Sequence, residues 1–125
     1  MILLISIGAV SYLSFSNRGL FAKLLFSPYQ IERSKEWYRF LTSAWLHADF
    51  NHLFLNLFVL WGFGGFVESV LVAWYGTAGM AYYLALFIGS TLIAHLPGYL
   101  KNRDNYAYSA VGASGAVSGI LFASI

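Results

Sequence analysis

The stretch TAGMAYYLALFIGSTLIAHL, residues Thr77–Leu96, runs for 20 residues without a charged side chain. A helix of about 20 apolar residues is long enough to cross the hydrocarbon core of a bilayer. The pair Pro97-Gly98 follows directly and is typical of a helix end. The stretch therefore predicts a transmembrane helix, and with it an all-α fold, because only helices and closed barrels satisfy their backbone groups in lipid.

The composition supports a membrane protein. The 125 residues are 59% hydrophobic and only 10% charged, whereas soluble domains carry about 25% charged residues. The absence of cysteine excludes disulfides and thiolate metal sites. The net charge of +2 is too small, and too interleaved with aromatic residues, to indicate nucleic-acid binding, and it suits a lipid surface better.

Three further apolar runs predict the other spans of one membrane domain, residues 1–125. Met1–Phe15 would reach roughly 22 Å as a helix; a trimmed first span is favoured over a signal peptide, because no basic residue precedes it and no A-x-A site follows it. Leu53–Val67 predicts the second span, which would leave the membrane near Glu68. The run from Ser114 to Ile125 is shorter than the about 20 residues of a span. We therefore expect a polytopic helix bundle whose fourth span is incomplete.

A long connection, Asn17–Leu46, separates the first two spans. Long loops in compact domains are usually functional or disordered, and this one is too apolar for disorder. Its first part, up to Leu25, predicts a short interfacial helix that Pro28 stops. Trp37 prefers the headgroup level and Arg39 is expected to snorkel to phosphate, so the segment is either a generic aromatic belt or a functional motif.

The octapeptide GASGAVSG, Gly112–Gly119, carries a serine between two glycines. Backbone and substrate can approach the Ser114 hydroxyl closely there, and it can act as a nucleophile if a base and an oxyanion site face it. Gly115 and Gly119 also form the small-residue spacing that lets membrane helices pack closely. Taken alone, the octapeptide favours the packing interpretation.

The segment HADFNHLFLN, His47–Asn56, supplies the polar groups that change this interpretation. His52 and Asn56 are four residues apart and therefore share one helix face. Polar groups at membrane depth usually face the bundle interior. Because two spans separate this segment from Ser114, both begin on the same side of the membrane, and the two side chains could form an oxyanion hole. His47 lies ahead of the regular helix and is expected to brace a loop.

Other polar residues have simpler interpretations. For His95 we favour a satisfied polar residue that ties helices together. The histidines and Asp49 fit no metalloprotease spacing, so we predict no metal and no cofactor. Glu68 lies about 24 Å along a helix from His52, so a capping or loop-bracing role is favoured over catalysis.

Together these motifs resemble the rhomboid intramembrane serine proteases. The pattern, which extends over nearly all of the chain, consists of His47-x4-His52-x3-Asn56, Gly112-x-Ser114-Gly115, Trp37-Tyr38-Arg39 and Glu68 after a glycine cluster. The resemblance implies a six-helix bundle that opens to the extracytoplasmic side. It also implies that Ser114 is the nucleophile and that His52, Asn56 and the Ser114 backbone N–H support the oxyanion. Trp37–Arg39 would then match a first-loop motif in the outer leaflet.

Three features depart from the family pattern. The base in the family is a histidine on the sixth helix, so we predict that the 125-residue chain is inactive and that its full-length parent is a protease. Ser118 stands where the family usually has a tyrosine. All seven Lys and Arg residues lie in the first and third loops, which the positive-inside rule assigns to the cytoplasm; we follow the family, which places these loops outside.

The sequence therefore predicts a multi-pass protein of the plasma (inner) membrane that cleaves transmembrane or juxtamembrane segments of other membrane proteins. Its partners would be these substrates and the lipid bilayer. The sequence indicates neither the identity of the substrate nor an oligomeric state. The alternative is a non-catalytic relative that binds membrane helices. A transporter or channel is disfavoured, because there is no ring of charge and no inverted repeat.

Overall fold

A computed structural model describes all 125 residues. Its regular secondary structure is entirely helical, with one isolated backbone bridge between Phe26 and Ala110. The helices are α1 (Ile2–Ser16), α2 (Arg18–Leu24), α3 (Pro28–Ser34), α4 (Arg39–Thr42), α5 (Phe50–Val59), α6 (Gly65–Tyr75), α7 (Ala78–Asn102) and α8 (Ser114–Ala123). A 3₁₀ turn, Ser43–Trp45, follows α4, and a π-helical turn, Leu60–Gly64, joins α5 to α6. The predicted all-α membrane bundle is confirmed.

The second span is longer than its apolar run predicted. α5, the π turn and α6 form one helix of 26 residues, Phe50–Tyr75, which is long and apolar enough to cross a bilayer. The prediction that this span ends near Glu68 is wrong, because the residues after it are again apolar. The helix ends only at Gly76, whose φ of 61° suits a helix terminus. Glu68 therefore lies inside α6.

The third span also continues beyond its predicted end. α7 has 25 residues and runs through Pro97 to Asn102, so the expected stop at Pro97-Gly98 is wrong. A proline interrupts a membrane helix at lower cost when neighbouring groups pack around the break. Here Tyr99, just beyond the proline, is buried in the cluster that contains Phe26 and Ile31, and this burial favours continuing the helix. The third loop consequently begins at Arg103.

Small residues bring α8 close to α7. A Cβ atom added to Gly115 would lie 2.4 Å from Cβ of Ala94, and one added to Gly119 would lie 2.0 Å from Oγ of Ser90. Both distances are far below van der Waals contact, so the backbones can approach this closely only with glycine at both positions. The packing role expected for the glycine pair is therefore present beside the serine, and it fixes α8 against α7.

The first connection folds into three short helices that form a small second core around Phe26 and Ile31. The short helix predicted before Pro28 is present as α2, but it ends at Leu24, and Pro28 begins α3. The expectation that Arg39 snorkels to phosphate is wrong, because its side chain is buried. Its Nε donates to Glu36 over 2.7 Å, and Nη1 donates to the carbonyls of Ala22 and Leu25. The guanidinium therefore ties α4 to the end of α2.

Candidate active site

Ser114 is the first residue of α8, and its side chain is exposed. It borders a cavity of about 220 Å³ whose lining includes Thr91, His95 and Tyr108. The first N–H groups of a helix have no partner within the helix. The hydroxyl thus lies at an accessible helix start, beside free backbone donors, and it opens on a cavity.

His52 packs against the backbone just before this serine. A Cβ atom added to Gly112 would lie only 2.8 Å from Cε1 of the imidazole. Gly112 also has a φ of 114°, which side-chain-bearing residues rarely adopt. Asp49 caps α5 by accepting the His52 backbone N–H over 2.8 Å. The first turn of α5 and the start of α8 are therefore in contact through His52 and Gly112.

Asn56 lies one turn after His52 on α5 and is buried. Its Nδ2 donates to the backbone carbonyl of His52 over 3.1 Å. An asparagine amide has two N–H donors, so this bond leaves one of them free for another acceptor. The shared helix face that the spacing predicts is present, and the bond holds the amide beside the first turn of α5.

His47 connects three parts of the chain. The Ser11 hydroxyl donates to the carbonyl of Trp45 over 2.7 Å and lies 2.8 Å from Nδ1 of His47. Nε2 of His47 accepts the backbone N–H of Ala113 over 3.4 Å. These partners assign the hydrogen of the neutral ring to Nδ1, which donates to Ser11. The imidazole therefore joins α1 to the residue before Ser114, a position that agrees with the expected bracing role.

Burial lowers the pKa of the His47 imidazole from 6.5 to about 4; the charge of His52 lowers it further, and that of Asp49 opposes the shift. We expect the free energy of unfolding to fall as the pH drops from about 6.5 to about 4, because the unfolded ring then binds a proton that the folded ring does not. Above pH 6.5 this contribution is fully present. The total loss is at most about 3–4 kcal/mol, because each pKa unit corresponds to about 1.4 kcal/mol.

Unfolding in detergent micelles across this pH range measures the effect. His47→Gln carries no titrating ring, so its stability curve should be flatter than that of the wild type between pH 4 and 6.5. Identical slopes for the two proteins would contradict the assignment of a buried, neutral His47.

The first connection also holds the segment that leads to Ser114. Phe26 and Ala110 exchange two backbone hydrogen bonds of 3.0 Å, and the Gly112 N–H donates to the Ser43 carbonyl over 2.9 Å. Sequence reasoning missed these contacts, because backbone pairing between distant loops leaves no residue signature. His95 hydrogen-bonds Ser43, with 2.9 Å between Nε2 and Oγ, so it is the satisfied polar residue that we expected.

The remaining predicted residues lie away from this cluster. Trp37 is exposed in the first connection and stacks on Phe40. Glu68 lies inside α6, where its carboxylate is 3.4 Å from the Met1 amino group. The loop-bracing role predicted for Glu68 is therefore wrong, because no loop begins near it. No three histidine or carboxylate side chains converge where they could hold a metal ion.

Comparisons with known proteins indicate the family of the chain. Residues 34–125 match the family model of the Rhomboid domain. The "Putative rhomboid protease YdcA" of Bacillus subtilis (strain 168) is 34% identical over 85 residues, which are 68% of this chain and 38% of that protein. The "Rhomboid-like protein 11, chloroplastic" of Arabidopsis thaliana is 36% identical over 100 residues, which are 79% of this chain and 32% of that protein. No solved structure matches the chain.

The chain thus spans only about a third of the length of these relatives, 38% of one and 32% of the other. The matched family domain contains all three histidines, Asn56 and Ser114. It also includes both helices that are long enough to cross a bilayer, α5–α6 and α7. The chain belongs to the rhomboid family.

Proposed function

We propose that the full-length parent is an intramembrane serine endopeptidase with Ser114 as its nucleophile. The observation that carries the proposal is the packing of His52 against Gly112, two residues before an exposed serine at a helix start. This contact supports an oxyanion site beside the hydroxyl. The family match and the relative named "Putative rhomboid protease YdcA" favour the same activity.

In this mechanism, Ser114 Oγ attacks the scissile carbonyl and forms a tetrahedral intermediate. The Ser114 backbone N–H, which has no partner within α8, donates to the developing oxyanion. The imidazole of His52 and the second N–H of the Asn56 amide donate to the same oxygen. The leaving amine takes up the proton lost by Ser114, and water then hydrolyses the acyl-enzyme. By resemblance to the family, a histidine of the parent outside residues 1–125 carries this proton as the base.

The proposed substrates are transmembrane or juxtamembrane segments of other membrane proteins. α8, which begins at Ser114, packs against α7 and against the helix Phe50–Tyr75, both long enough to cross a bilayer. Because the proposed substrates lie in the same bilayer, they would enter from the lipid. Its backbone must first unwind, because a helical peptide bond is hydrogen-bonded and closed to attack. We place the parent in the plasma (inner) membrane as a multi-pass protein, with the first and third loops on the extracytoplasmic side. No cofactor takes part in this mechanism.

A second candidate is a non-catalytic relative that binds membrane helices. Ser118 favours it, because the family usually has a tyrosine at this position, one turn after the nucleophile, where the tyrosine stacks on the base. In this protein Ser118 is exposed on α8. A looser placement of the base would leave helix binding intact and abolish cleavage.

Labelling with a fluorophosphonate probe separates the two candidates, because the probe reacts only with an activated serine. We expect the full-length parent in micelles to be labelled on Ser114. Ser118→Ala, the matched control on the next turn, should keep the label, and Ser114→Ala should lose it. An unlabelled wild-type parent would favour the non-catalytic candidate.

A further inference from the structure

His95 contacts the first connection at two points. Its Nε2 lies 2.9 Å from the hydroxyl oxygen of Ser43. Its ring stacks on that of Phe26, with centroids 4.2 Å apart and planes inclined by 14°. The two contacted residues are distant in sequence, and one side chain of α7 therefore fixes both of them at once.

These two residues are also the ones whose backbones hold the segment before Ser114. Phe26 pairs with Ala110 through two hydrogen bonds of 3.0 Å, and the Ser43 carbonyl accepts the N–H of Gly112 over 2.9 Å. The segment from Arg103 to Ala113 contains no helix. Arg33 holds its start through Arg103 and Asp104, whereas the bonds of Phe26 and Ser43 and the one from Ala113 to His47 hold the end that leads to Ser114. Every backbone-to-backbone hydrogen bond between the first connection and this segment thus comes from a residue that touches His95.

We infer that His95 is a positioning residue for Ser114, which acts by fixing Ser43 and Phe26. The inference rests on the proposed nucleophilic role of the serine. His95 and Ser114 border the same cavity, but the imidazole Nε2 is engaged by the Ser43 hydroxyl. We therefore assign His95 to orientation of the reacting group. The position of the Ser114 hydroxyl matters because displacing a reacting group by about 1 Å can lower the rate by about 100-fold.

Two variants of the full-length parent separate the contacts of His95. His95→Ala removes both the hydrogen bond and the ring stack. His95→Phe removes the hydrogen bond and keeps a ring that can stack on Phe26. Because it is the milder change, it can still be measured if the alanine variant does not fold. Tyr82→Phe is the matched control, because it removes one polar atom from α7 at an exposed position.

Backbone hydrogen exchange gives a readout that does not depend on activity. We expect His95→Ala to accelerate exchange at the amides of Ala110 and Gly112 by about tenfold or more, and His95→Phe to accelerate it chiefly at Gly112, while the amides of α6 stay unchanged. Tyr82→Phe should leave all of these rates as in the wild type. Unchanged exchange at Ala110 and Gly112 in both His95 variants would overturn the inference, whether or not the parent is a protease.

Cleavage kinetics complete the test. We expect kcat to fall by about 10- to 100-fold in His95→Ala, with KM within about twofold of the wild type, because the serine is misplaced and substrate binding is kept. Adding Ser43→Ala to His95→Phe should lower kcat little further, since each change removes the same hydrogen bond between residues 43 and 95. Faster exchange with an unchanged kcat would also overturn the positioning role.

A wild-type parent that cleaves nothing would instead refute the proposed function. The exchange data would still show whether His95 fixes Ser43 and Phe26.

Discussion

The full-length parent with Ser114→Ala is expected to cut a model transmembrane substrate at or below the detection limit. Removing the nucleophile of a serine protease lowers kcat by about 10⁶-fold, because no acyl-enzyme can form. The variant should fold normally, since the hydroxyl is exposed at the helix start and alanine is a good helix former. Cleavage in reconstituted liposomes, followed by gel or by mass spectrometry of the products, measures the loss.

Ser118→Ala is the control for this experiment, because it deletes a hydroxyl from the next turn of the same helix. It should retain cleavage within a few-fold of the wild type. Equal loss in the two variants would indicate a general disturbance of α8. Undiminished cleavage by Ser114→Ala would remove the serine from the mechanism.

Gly112→Ala is expected to lower kcat by about 100-fold or more while the protein stays folded. The new methyl group would lie 2.8 Å from Cε1 of His52. Either the imidazole or the segment that leads to Ser114 must therefore move. The φ of 114° adds backbone strain, which costs about 1–3 kcal/mol at a residue with a side chain. Both effects displace His52 relative to Ser114, and catalysis is sensitive to shifts of about 1 Å.

Gly89→Ala serves as the matched control, because a Cβ atom at this position of α7 would meet nothing within 4 Å. It should keep both activity and the unfolding midpoint of the wild type, or become slightly more stable, since alanine is the better helix former. Comparison of kcat with the thermal unfolding midpoint for the two variants separates misplacement from unfolding. Wild-type kcat in Gly112→Ala would contradict the close contact between His52 and the loop.

The residues of the candidate site were largely predictable from the sequence. Spacing of four residues places His52 and Asn56 on one helix face, and counting spans places them on the same side of the membrane as Ser114. Gly112, two residues before the serine, is also marked in the sequence, because a positive φ and a close approach both select glycine. These inferences rest on local geometry and on the bilayer, which restrict the chain to few arrangements.

The helix ends were less predictable, because tertiary packing decides them. Pro97 is a strong local stop signal, yet burial of Tyr99 beyond it favours a longer helix. Glu68 is a charged residue in an apolar run, yet the apolar residues after it extend α6 to Tyr75. Local propensity contributes only a few tenths of a kcal/mol to about 1 kcal/mol for most residues, and packing readily exceeds this amount.

The support around the serine was the least predictable part. Arg39 has the sequence signature of a residue that reaches for phosphate, but its guanidinium is buried on backbone carbonyls of α2 and the turn after it. The pairing of Phe26 with Ala110 uses backbone atoms alone, so any residue could make it. The double contact of His95 follows from this pairing and could be found only once the loops were placed.

The central claim is that Ser114 forms its tetrahedral intermediate against His52 and Asn56. An experimental structure of the full-length parent, after reaction with a fluorophosphonate, tests this claim most directly. We predict phosphorus bonded to Ser114 Oγ, with the phosphoryl oxygen about 3 Å from a side-chain nitrogen of His52 or Asn56. An adduct whose oxygens point away from both side chains, or an adduct on another residue, would contradict the account.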